Sequence, residues 1–294
     1  MATNQQNLGV INSEATWKPY IEFISAALDA ALPRTADTGQ LNLGSYSRPV
    51  GANTVVGYEI REWDDGLKGS HPLVMKIEYG TGSNVNYVQL WITVGKGSNG
   101  SGTITDVIIP RTARDVGGVF IADSVSLFSS TTGICSIALA AYIQTGQATT
   151  NQTAFLYFER TADENGDPTG VGVRVGYVST AAVRMWTGDY ATQTYTEEQI
   201  GPVAMPHNQT SSLNANMEAV VYPVVNFGTG KTLFPIRSFA CVYVTDTPQL
   251  TPVDAILAGK EQVMMRIPRF VSTLYFMRAN LASNTAAGIL MRWE

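Results

Sequence analysis

Charge is scarce in this sequence. Asp, Glu, Lys and Arg make up 15% of the 294 residues, whereas a typical soluble domain has roughly 25%. A monomer relies on surface charge for solubility, so the low value favours a subunit whose surface is partly covered by partners. The net charge is −5, and the sequence has no basic stripe of the kind that neutralises phosphates. We therefore predict no nucleic-acid partner.

Histidine and cysteine are scarce too, which leaves little support for catalytic or metal-binding patterns. The two histidines, His71 and His207, each adjoin a proline in a loop-like context, and no Gly-x-Ser-x-Gly elbow is found. No CxxC pair exists, so zinc and redox sites have no support. Cys135 and Cys241 lie in apolar runs, which predicts buried reduced thiols; a disulfide between them stays open. We predict no enzyme activity, no catalytic or metal-binding residues and no cofactor.

The sequence also lacks long apolar runs and a recognisable leader. No run of ~18 apolar residues is found, so we predict no membrane span. The first residues, Met-Ala-Thr-Asn-Gln-Gln-Asn, have neither the basic nor the apolar region of a signal peptide. Residues 1–15 are polar and predict an N-terminal arm. Such an arm becomes ordered only when something holds it, which in an assembly is often a neighbouring subunit.

A helix is predicted over residues 16–32. Its apolar residues fall at i, i+3, i+4, i+7 and i+11, which is one face at a period of 3.6. Thr16 can cap the first turn, Pro19 is tolerated near the start, and Pro33 ends the helix. The apolar face predicts packing against the chain's own sheet or, alternatively, against a partner.

From Leu41 onward the pattern changes to alternation with a period of two, which predicts strands. Predicted strands include residues 55–61, 73–79, 87–94, 103–109, 136–144, 154–159, 171–178, 218–226, 238–245, 263–267 and 271–277, with flexible loops such as Gly95–Gly102 between them. Asn165-Gly166 predicts a hairpin turn. We predict a mainly β fold, an antiparallel β-sandwich or barrel-like domain over residues 16–294. A subdivision near 180–215 stays open.

Two segments approach known ligand-binding patterns and then depart from them. Gly228-Thr229-Gly230-Lys231-Thr232 resembles the end of a phosphate-binding loop, but Val225 stands at the position of the first glycine. Asp163, Asn165 and Asp167 resemble half of a calcium loop, but Pro168 and Arg174 occupy the positions that require Gly and Glu. Both segments predict hairpin loops rather than sites.

Aromatic and apolar residues supply the candidate contact surface. Strand tryptophans act most often as core or interface anchors, and an exposed row of them would form a sugar-stacking platform. Trp63, Trp91 and Trp186 could form such a row. The candidate interface residues are Trp17, Tyr20, Ile21, Ile24, Leu28, Trp63 and Trp186.

One part of the chain resembles virion structural proteins of tailed bacteriophages. The stretches are Gly57–Lys68 (GYEIREWDDGLK), Pro72–Gly82 (PLVMKIEYGTG) and Leu90–Thr103 (LWITVGKGSNGSGT). The resemblance covers residues ~50–105 and implies a protein built into the phage particle. It implies partners among other virion proteins and further copies of the chain itself, and a virion location after assembly in the bacterial host cytoplasm.

Three functions are consistent with these observations. The first is a non-enzymatic tail or tail-tip subunit that assembles as a symmetric multimer and contributes to host attachment. The second is a head decoration or head–tail junction protein, which uses the same physics at another place on the particle. The third is a carbohydrate-binding module or depolymerase acting on host surface glycan, which needs an exposed aromatic row or a pair of carboxylates in a groove.

Overall fold

The computed structural model describes residues 2–8, 14–29, 32–83, 85–86, 88–115, 122–131, 136–145, 152–162, 167–179, 182–200, 220–227, 233–245, 263–266, 274–281 and 285–292. Sixteen strands and one helix lie in these ranges. All pairs of neighbouring strands in the three sheets are antiparallel. The predicted mainly β fold with an N-terminal helix is therefore confirmed.

Helix α1 spans Glu14–Asp29, so it begins and ends slightly before the predicted 16–32. Glu14 lies in the first turn, where the positive end of the helix dipole favours a carboxylate. The apolar face is buried as the periodicity indicates, and it includes Trp17 and Leu28. The helix contacts the strand Val88–Ser98 of a four-stranded sheet. It also contacts three strands of a seven-stranded sheet, Ala2–Leu8, Ala122–Thr131 and Ser136–Thr145.

The four-stranded sheet has the order β2-β3-β4-β5. Its strands are β2 (Val55–Glu62), β3 (Val74–Thr81), β4 (Val88–Ser98) and β5 (Ile104–Asp115). The alternation in β3 sorts its residues between two faces: Met75, Ile77 and Tyr79 are buried, whereas Lys76 and Glu78 are half-buried on the other face. The predicted strands 55–61, 73–79, 87–94 and 103–109 are confirmed.

The prediction of a flexible loop over Gly95–Gly102 is wrong at its start. Strand β4 continues to Ser98, and Gly95 and Gly97 pair with Val107 and Thr105 of β5. A Cβ on Gly95 would overlap Ile104 and the carbonyl oxygen of Thr105. The glycines of this segment therefore permit two strands to approach closely, as glycines in strands often do. Only the tip behaves as a tight turn, with positive φ at Gly100 and Gly102.

The seven-stranded sheet has the order β1-β6-β7-β8-β9-β10-β11. Its strands are β1 (Ala2–Leu8), β6 (Ala122–Thr131), β7 (Ser136–Thr145), β8 (Gln152–Ala162), β9 (Pro168–Ser179), β10 (Ala182–Asp189) and β11 (Tyr195–Ile200). The predicted hairpin of β8 and β9 is confirmed. The polar arm is held by the chain itself, because its residues 2–8 form β1 and pair with β6. Strand β6 was not predicted, although Val125 and Leu127 alternate with serines.

The five-stranded sheet has the order β12-β13-β16-β15-β14. Its strands are β12 (Val220–Phe227), β13 (Leu233–Thr245), β14 (Val263–Arg266), β15 (Leu274–Leu281) and β16 (Thr285–Arg292). Cys241 lies in β13, opposite Tyr222 on one side and Ile289 on the other. In the described ranges all three strand orders are open, so the sheets do not close into a barrel.

A large apolar core of the described residues joins the four-stranded sheet to the helix and to the seven-stranded sheet. It combines Trp17 and Ile24 of α1 with inward residues of β3, β4 and β5. Phe158 of β8, Val175 of β9 and Trp186 of β10 belong to the same cluster. Burial of this apolar surface is the main force that holds the two sheets and the helix together.

Several predictions concern residues outside the described ranges. These are Cys135, Asp163, Asn165, His207, the Gly228–Thr232 loop and residues 201–219 of the proposed subdivision. The pairing of the two cysteines and the division into one or two domains therefore stay predictions.

Gly172→Ala is expected to lower the free energy of unfolding by about 1–3 kcal/mol, the usual cost of overpacking. Gly172 lies in β9, and a Cβ there would overlap the backbone carbonyl oxygen of Gly188 in β10. Gly66→Ala is the matched control, because a Cβ at Gly66 meets no atom within 4 Å. Urea unfolding of the two variants measures the difference. Equal midpoints would contradict close packing between β9 and β10.

Candidate functional site

The densest group of charged and hydrogen-bonded side chains in the described residues is an ionic network between α1 and the four-stranded sheet. At its centre is the fully buried carboxylate of Glu59 on β2. Its Oε1 accepts a hydrogen bond from Ser25 Oγ at 2.7 Å and pairs with Arg34. Its Oε2 accepts from Arg61 Nη2 at 2.8 Å and from Tyr79 Oη at 3.1 Å. The carboxylate therefore has donors on both oxygens.

Arg61 is the second centre of the network. Its guanidinium is fully buried and pairs with Asp29 at the end of α1 as well as with Glu59. Nη2 donates to Ser25 Oγ at 2.9 Å, and Nη1 donates to the carbonyl of Leu32 at 3.2 Å. Burial alone would lower the pKa of Arg61, but the charge of Glu59 and the contact with Asp29 outweigh burial and raise it. Arg61 thus stays charged throughout the accessible pH range.

The local sequence explains why these two charges meet. Glu59 and Arg61 are two residues apart on β2, so both project from the same face of the sheet. That face lies beneath α1, and Arg34 comes from the segment that follows the helix and forms a bridge to Arg61. Two carboxylates and two guanidiniums balance in charge, with Glu59 and Arg61 fully buried and Asp29 62% exposed at the edge of the network. The arrangement fixes the helix on the sheet.

Tyr79 closes the network from β3. Burial, and after it the nearby carboxylate of Glu59, raise the pKa of the Tyr79 phenol well above its ordinary value. The phenol therefore stays protonated and donates to Glu59. Ser25 also donates a hydrogen bond to Glu59, and two guanidiniums pair with the same carboxylate. These contacts together hold the Glu59 side chain in one position.

A second buried ion pair connects the four-stranded sheet to the seven-stranded sheet. Asp65, in the turn after β2, pairs with Arg160 of β8: Nε lies 2.5 Å from Oδ2 and Nη2 lies 3.2 Å from Oδ1. Both side chains are buried. Beside this pair, Glu159 of β8 lies opposite Arg174 of β9 in the strand register, and both residues are buried.

A half-buried ring cluster lies where the two sheets meet at the surface. The Tyr190 ring is 5.1 Å from the His71 ring and lies 4.5 Å below Lys96 Nζ. His71 Nδ1 is 3.0 Å from Ser70 Oγ, its sequence neighbour. The imidazole packs on Tyr190, so its contacts are those of a surface packing residue.

The outer face of the four-stranded sheet carries a row of cation–aromatic contacts. Arg111 lies 4.7 Å from the centre of the Trp91 ring and pairs with Glu78 at 2.6 Å. Lys76 lies 4.5 Å from the ring centre of Tyr58. The ring faces of Trp91 and Tyr58 therefore contact cations of the chain itself.

The seven candidate interface residues are all in the core. Trp17, Tyr20, Ile21, Ile24, Leu28, Trp63 and Trp186 are each at most 3% exposed. The apolar face of the helix thus packs on the chain's own sheets, the first of the two alternatives. Buried side chains offer no surface to a partner in this fold, so a contact with a partner must use other residues.

The tryptophans proposed as a sugar-stacking row do not form one. Trp63 and Trp186 are buried in the core, and Trp91 is 7% exposed beneath Arg111. Tyr195 of β11 is the one aromatic residue among the exposed large hydrophobic side chains of the described residues. The structural requirement of the glycan hypothesis is therefore not met by these three residues.

Sequence reasoning missed the ionic network. The alternation in the predicted strand 55–61 puts Glu59 and Arg61 on one side, but it does not show that this side is the buried one. The available signal was the opposite face: Tyr58 and Ile60 also alternate, and Ile60 belongs to a small separate cluster with Val74 and Ile104. Two apolar-looking faces on one strand indicate that both are covered, and a charge pair on a covered face must be matched by further charges.

Comparisons with protein-family models, with curated proteins and with solved structures find no match to this chain. Within the described ranges, no group of three or more His, Cys, Asp and Glu residues is placed to hold a metal ion. The one helix in that part of the chain is not long and apolar enough to cross a membrane.

A pH dependence is expected from Asp37, which ties the segment after the helix to the β4–β5 hairpin. Its Oδ2 accepts from Ser98 Oγ at 2.6 Å and its Oδ1 accepts from the Gly102 N–H at 3.2 Å. Slight burial would raise the pKa of Asp37, but the hydrogen bonds, led by that from Ser98, lower it overall. A lowered pKa in the folded state stabilises the fold above the ordinary aspartate pKa of about 3.9, and this contribution is lost as the pH falls through the lowered pKa.

Asp37→Asn is therefore expected to lower the melting temperature at pH 7 and to have a progressively smaller effect below about pH 4. Melting curves of both proteins between neutral and acidic pH measure this convergence. Asp64→Asn, at an exposed carboxylate that pairs only with Lys68 in the contacts described, serves as the control. Parallel curves for the Asp37 variant and the unaltered chain at every pH would contradict the role given to this carboxylate.

Proposed function

We propose that this chain is a non-enzymatic structural subunit of a tailed-phage virion, associated with the tail or tail tip and assembled as a symmetric multimer. The observation that carries the proposal is the resemblance of residues ~50–105 to virion structural proteins. In the fold this segment contains β2, β3 and β4, three of the four strands of the four-stranded sheet, and it ends at the start of β5. The resemblance therefore lies on consecutive strands of one sheet.

The use of charge in the described residues supports the same function. Glu59 with Arg61, and Asp65 with Arg160, are buried and pair with each other. The first pair holds the helix through Ser25 and Asp29, and the second pair connects one sheet to the next. Buried hydrogen-bonded networks of this kind rigidify a fold, which suits a structural subunit.

The other two functions have less support. A head decoration or head–tail junction protein would use the same fold, and no contact described here distinguishes it from a tail subunit. A glycan-binding module or depolymerase needs exposed aromatic residues, and the three tryptophans proposed for that role are buried. Host-surface glycan thus remains the weaker partner, behind other copies of the chain and other virion proteins.

The test is the location of the chain in infected cells. Particles purified from a lysate of the producing host and washed in high salt are expected to contain the chain by mass spectrometry. Immunogold labelling is expected to fall on the tail, while labelling on the capsid or the neck would favour the second function. Absence from washed particles, with the chain abundant in the soluble lysate, would overturn the proposal.

A further inference from the structure

The seven-stranded sheet ends in a strand whose outer edge is open among the described residues. Strand β1 pairs with β6 on one side only, in a continuous register from Ala2 opposite Thr131 to Leu8 opposite Val125. In an antiparallel edge strand, every second residue directs its N–H and C=O groups away from the sheet. An open edge of seven residues is therefore a template for another strand.

The other sheet edges in the described part of the chain carry features that discourage pairing. Strand β5 has register shifts and Pro110, and β12 has a register shift at Pro223. Strand β14 is short and ends at Arg266, and β11 contains Glu197 and Glu198. The segment after the helix covers β2, since Leu41 N–H donates to the Tyr58 carbonyl at 2.7 Å.

Strand β1 lacks the charge, the proline and the register shift that these other edges carry. Its residues, Ala-Thr-Asn-Gln-Gln-Asn-Leu, include no charge and no proline, and its register with β6 has no shift. Natural edge strands of this length are usually protected by a charge, a proline, a bulge or a cover. An edge without charge, proline or bulge is suited to pairing with another strand.

The sequence of β1 also matches a second copy of itself. When two copies run antiparallel with Gln5 at the centre, all seven residues pair, and no other centre achieves this. Ala2 then lies opposite Leu8, Thr3 opposite Asn7, Asn4 opposite Gln6, and Gln5 opposite its own copy. Apolar residues meet apolar ones and polar residues meet polar ones. Pairing with β11 would instead set these uncharged residues against Glu197 and Glu198.

We infer that β1 is the contact through which two copies of this chain join, strand to strand, with Gln5 on the two-fold axis. The seven-stranded sheet then continues from one copy into the next. Such an interface is isologous, as in most symmetric dimers, and uses backbone hydrogen bonds as in β-strand addition. The inference rests on the homo-oligomeric part of the proposed function and names the surface that joins the copies.

Cysteine cross-linking of the full chain tests the register. In a background with Cys135→Ser and Cys241→Ser, the variant Gln5→Cys is expected to form a disulfide-linked dimer under mild oxidation. Opposed residues in an antiparallel pair have Cα atoms about 4.5–5.5 Å apart, which is within disulfide range. Asn4→Cys alone is expected not to link, because its copy lies two residues away along the strand. A mixture of Asn4→Cys and Gln6→Cys is expected to link again.

Proline variants supply a second measurement that does not depend on oxidation. Gln5→Pro and Gln6→Pro remove N–H groups that point to opposite edges of β1. One variant is expected to lose the dimer in light scattering while keeping its melting temperature, and the other is expected to lose thermal stability through its pairing with β6. Similar effects of both prolines on the dimer and on the melting temperature would count against the edge.

The outcomes separate the inference from the proposed function. Dimers or higher multimers in light scattering that persist in both proline variants, with no Gln5→Cys cross-link, would overturn the β1 contact and leave a multimer standing. A monomer at all concentrations would overturn both the β1 contact and the multimer. Detection of the chain in washed particles is independent of either result.

Discussion

Replacing Arg61 by methionine is expected to lower the free energy of unfolding by about 3–5 kcal/mol, the cost of breaking a buried ion pair from one side. The Arg61 guanidinium is fully buried and donates to Glu59, Ser25 and the carbonyl of Leu32. Methionine is of similar length, so it fills much of the volume without supplying these donors. Urea unfolding followed by tryptophan fluorescence measures the loss.

Lys68→Met is the matched control for this variant. Lys68 also pairs with two carboxylates, those of Glu62 and Asp64, but it does so at the surface. Surface ion pairs contribute little to stability, so its unfolding midpoint is expected to stay close to that of the unaltered chain. If both variants shift the midpoint equally, burial is not what makes the Arg61 contacts strong.

The double variant Glu59→Gln, Arg61→Met distinguishes a lost attraction from a stranded charge. Removing both charges takes away the buried carboxylate that the single variant leaves with Arg34 as its only guanidinium partner. The double variant is therefore expected to be less destabilised than the sum of the two single variants. Strict additivity would indicate that Glu59 and Arg61 contribute independently.

Much of the local structure of this protein could be predicted from its sequence, although strand β6 and the strand formed by residues 2–8 could not. Strand alternation located β2, β3 and β4, and Asn165-Gly166 located the hairpin between β8 and β9. These signals are local, because alternation and turn chemistry depend on neighbouring residues. The apolar face of the helix was predicted in the same way. It packs on the chain's own sheets, which is the first of the two alternatives that the sequence left open.

The candidate site could not be predicted in the same way, because its partners are distant in sequence. Asp65 and Arg160 are 95 residues apart, and Ser25 reaches Glu59 across 34. The periodicity of apolar residues within a segment does not show which distant turn or strand that segment contacts. The edge position of β1 could not be predicted for a related reason. A polar, uncharged segment of seven residues has no local strand signal, and its strand conformation depends on pairing with the distant β6.

The second large effect is expected at the ion pair between the sheets. Asp65→Asn leaves the buried Arg160 guanidinium without its carboxylate partner, so the free energy of unfolding is expected to fall by about 3–5 kcal/mol. Asparagine keeps the shape and one acceptor oxygen, so the loss reports the missing charge rather than a cavity. The same urea titration measures it.

The control uses the same chemistry at the surface. Arg111 Nε lies 2.6 Å from Glu78 Oε2, nearly the distance of the 2.5 Å contact between Arg160 Nε and Asp65 Oδ2, but half of the Arg111 side chain is exposed. Glu78→Gln is therefore expected to cost only about 0–1 kcal/mol. The comparison keeps an arginine Nε, a carboxylate oxygen and nearly the same distance between them, and it changes the burial.

A double-mutant cycle then tests whether the pair couples the two sheets. Asp65 follows β2 of the four-stranded sheet, and Arg160 lies in β8 of the seven-stranded sheet, so any coupling energy between them acts across the core. Asp65→Asn with Arg160→Met is expected to be less destabilising than the sum of the single variants, because neither charge is left without its partner. If the single variants add and each costs no more than Glu78→Gln, the sheets are held together by the apolar core alone, and the ion pair is incidental to the architecture that the multimer would require.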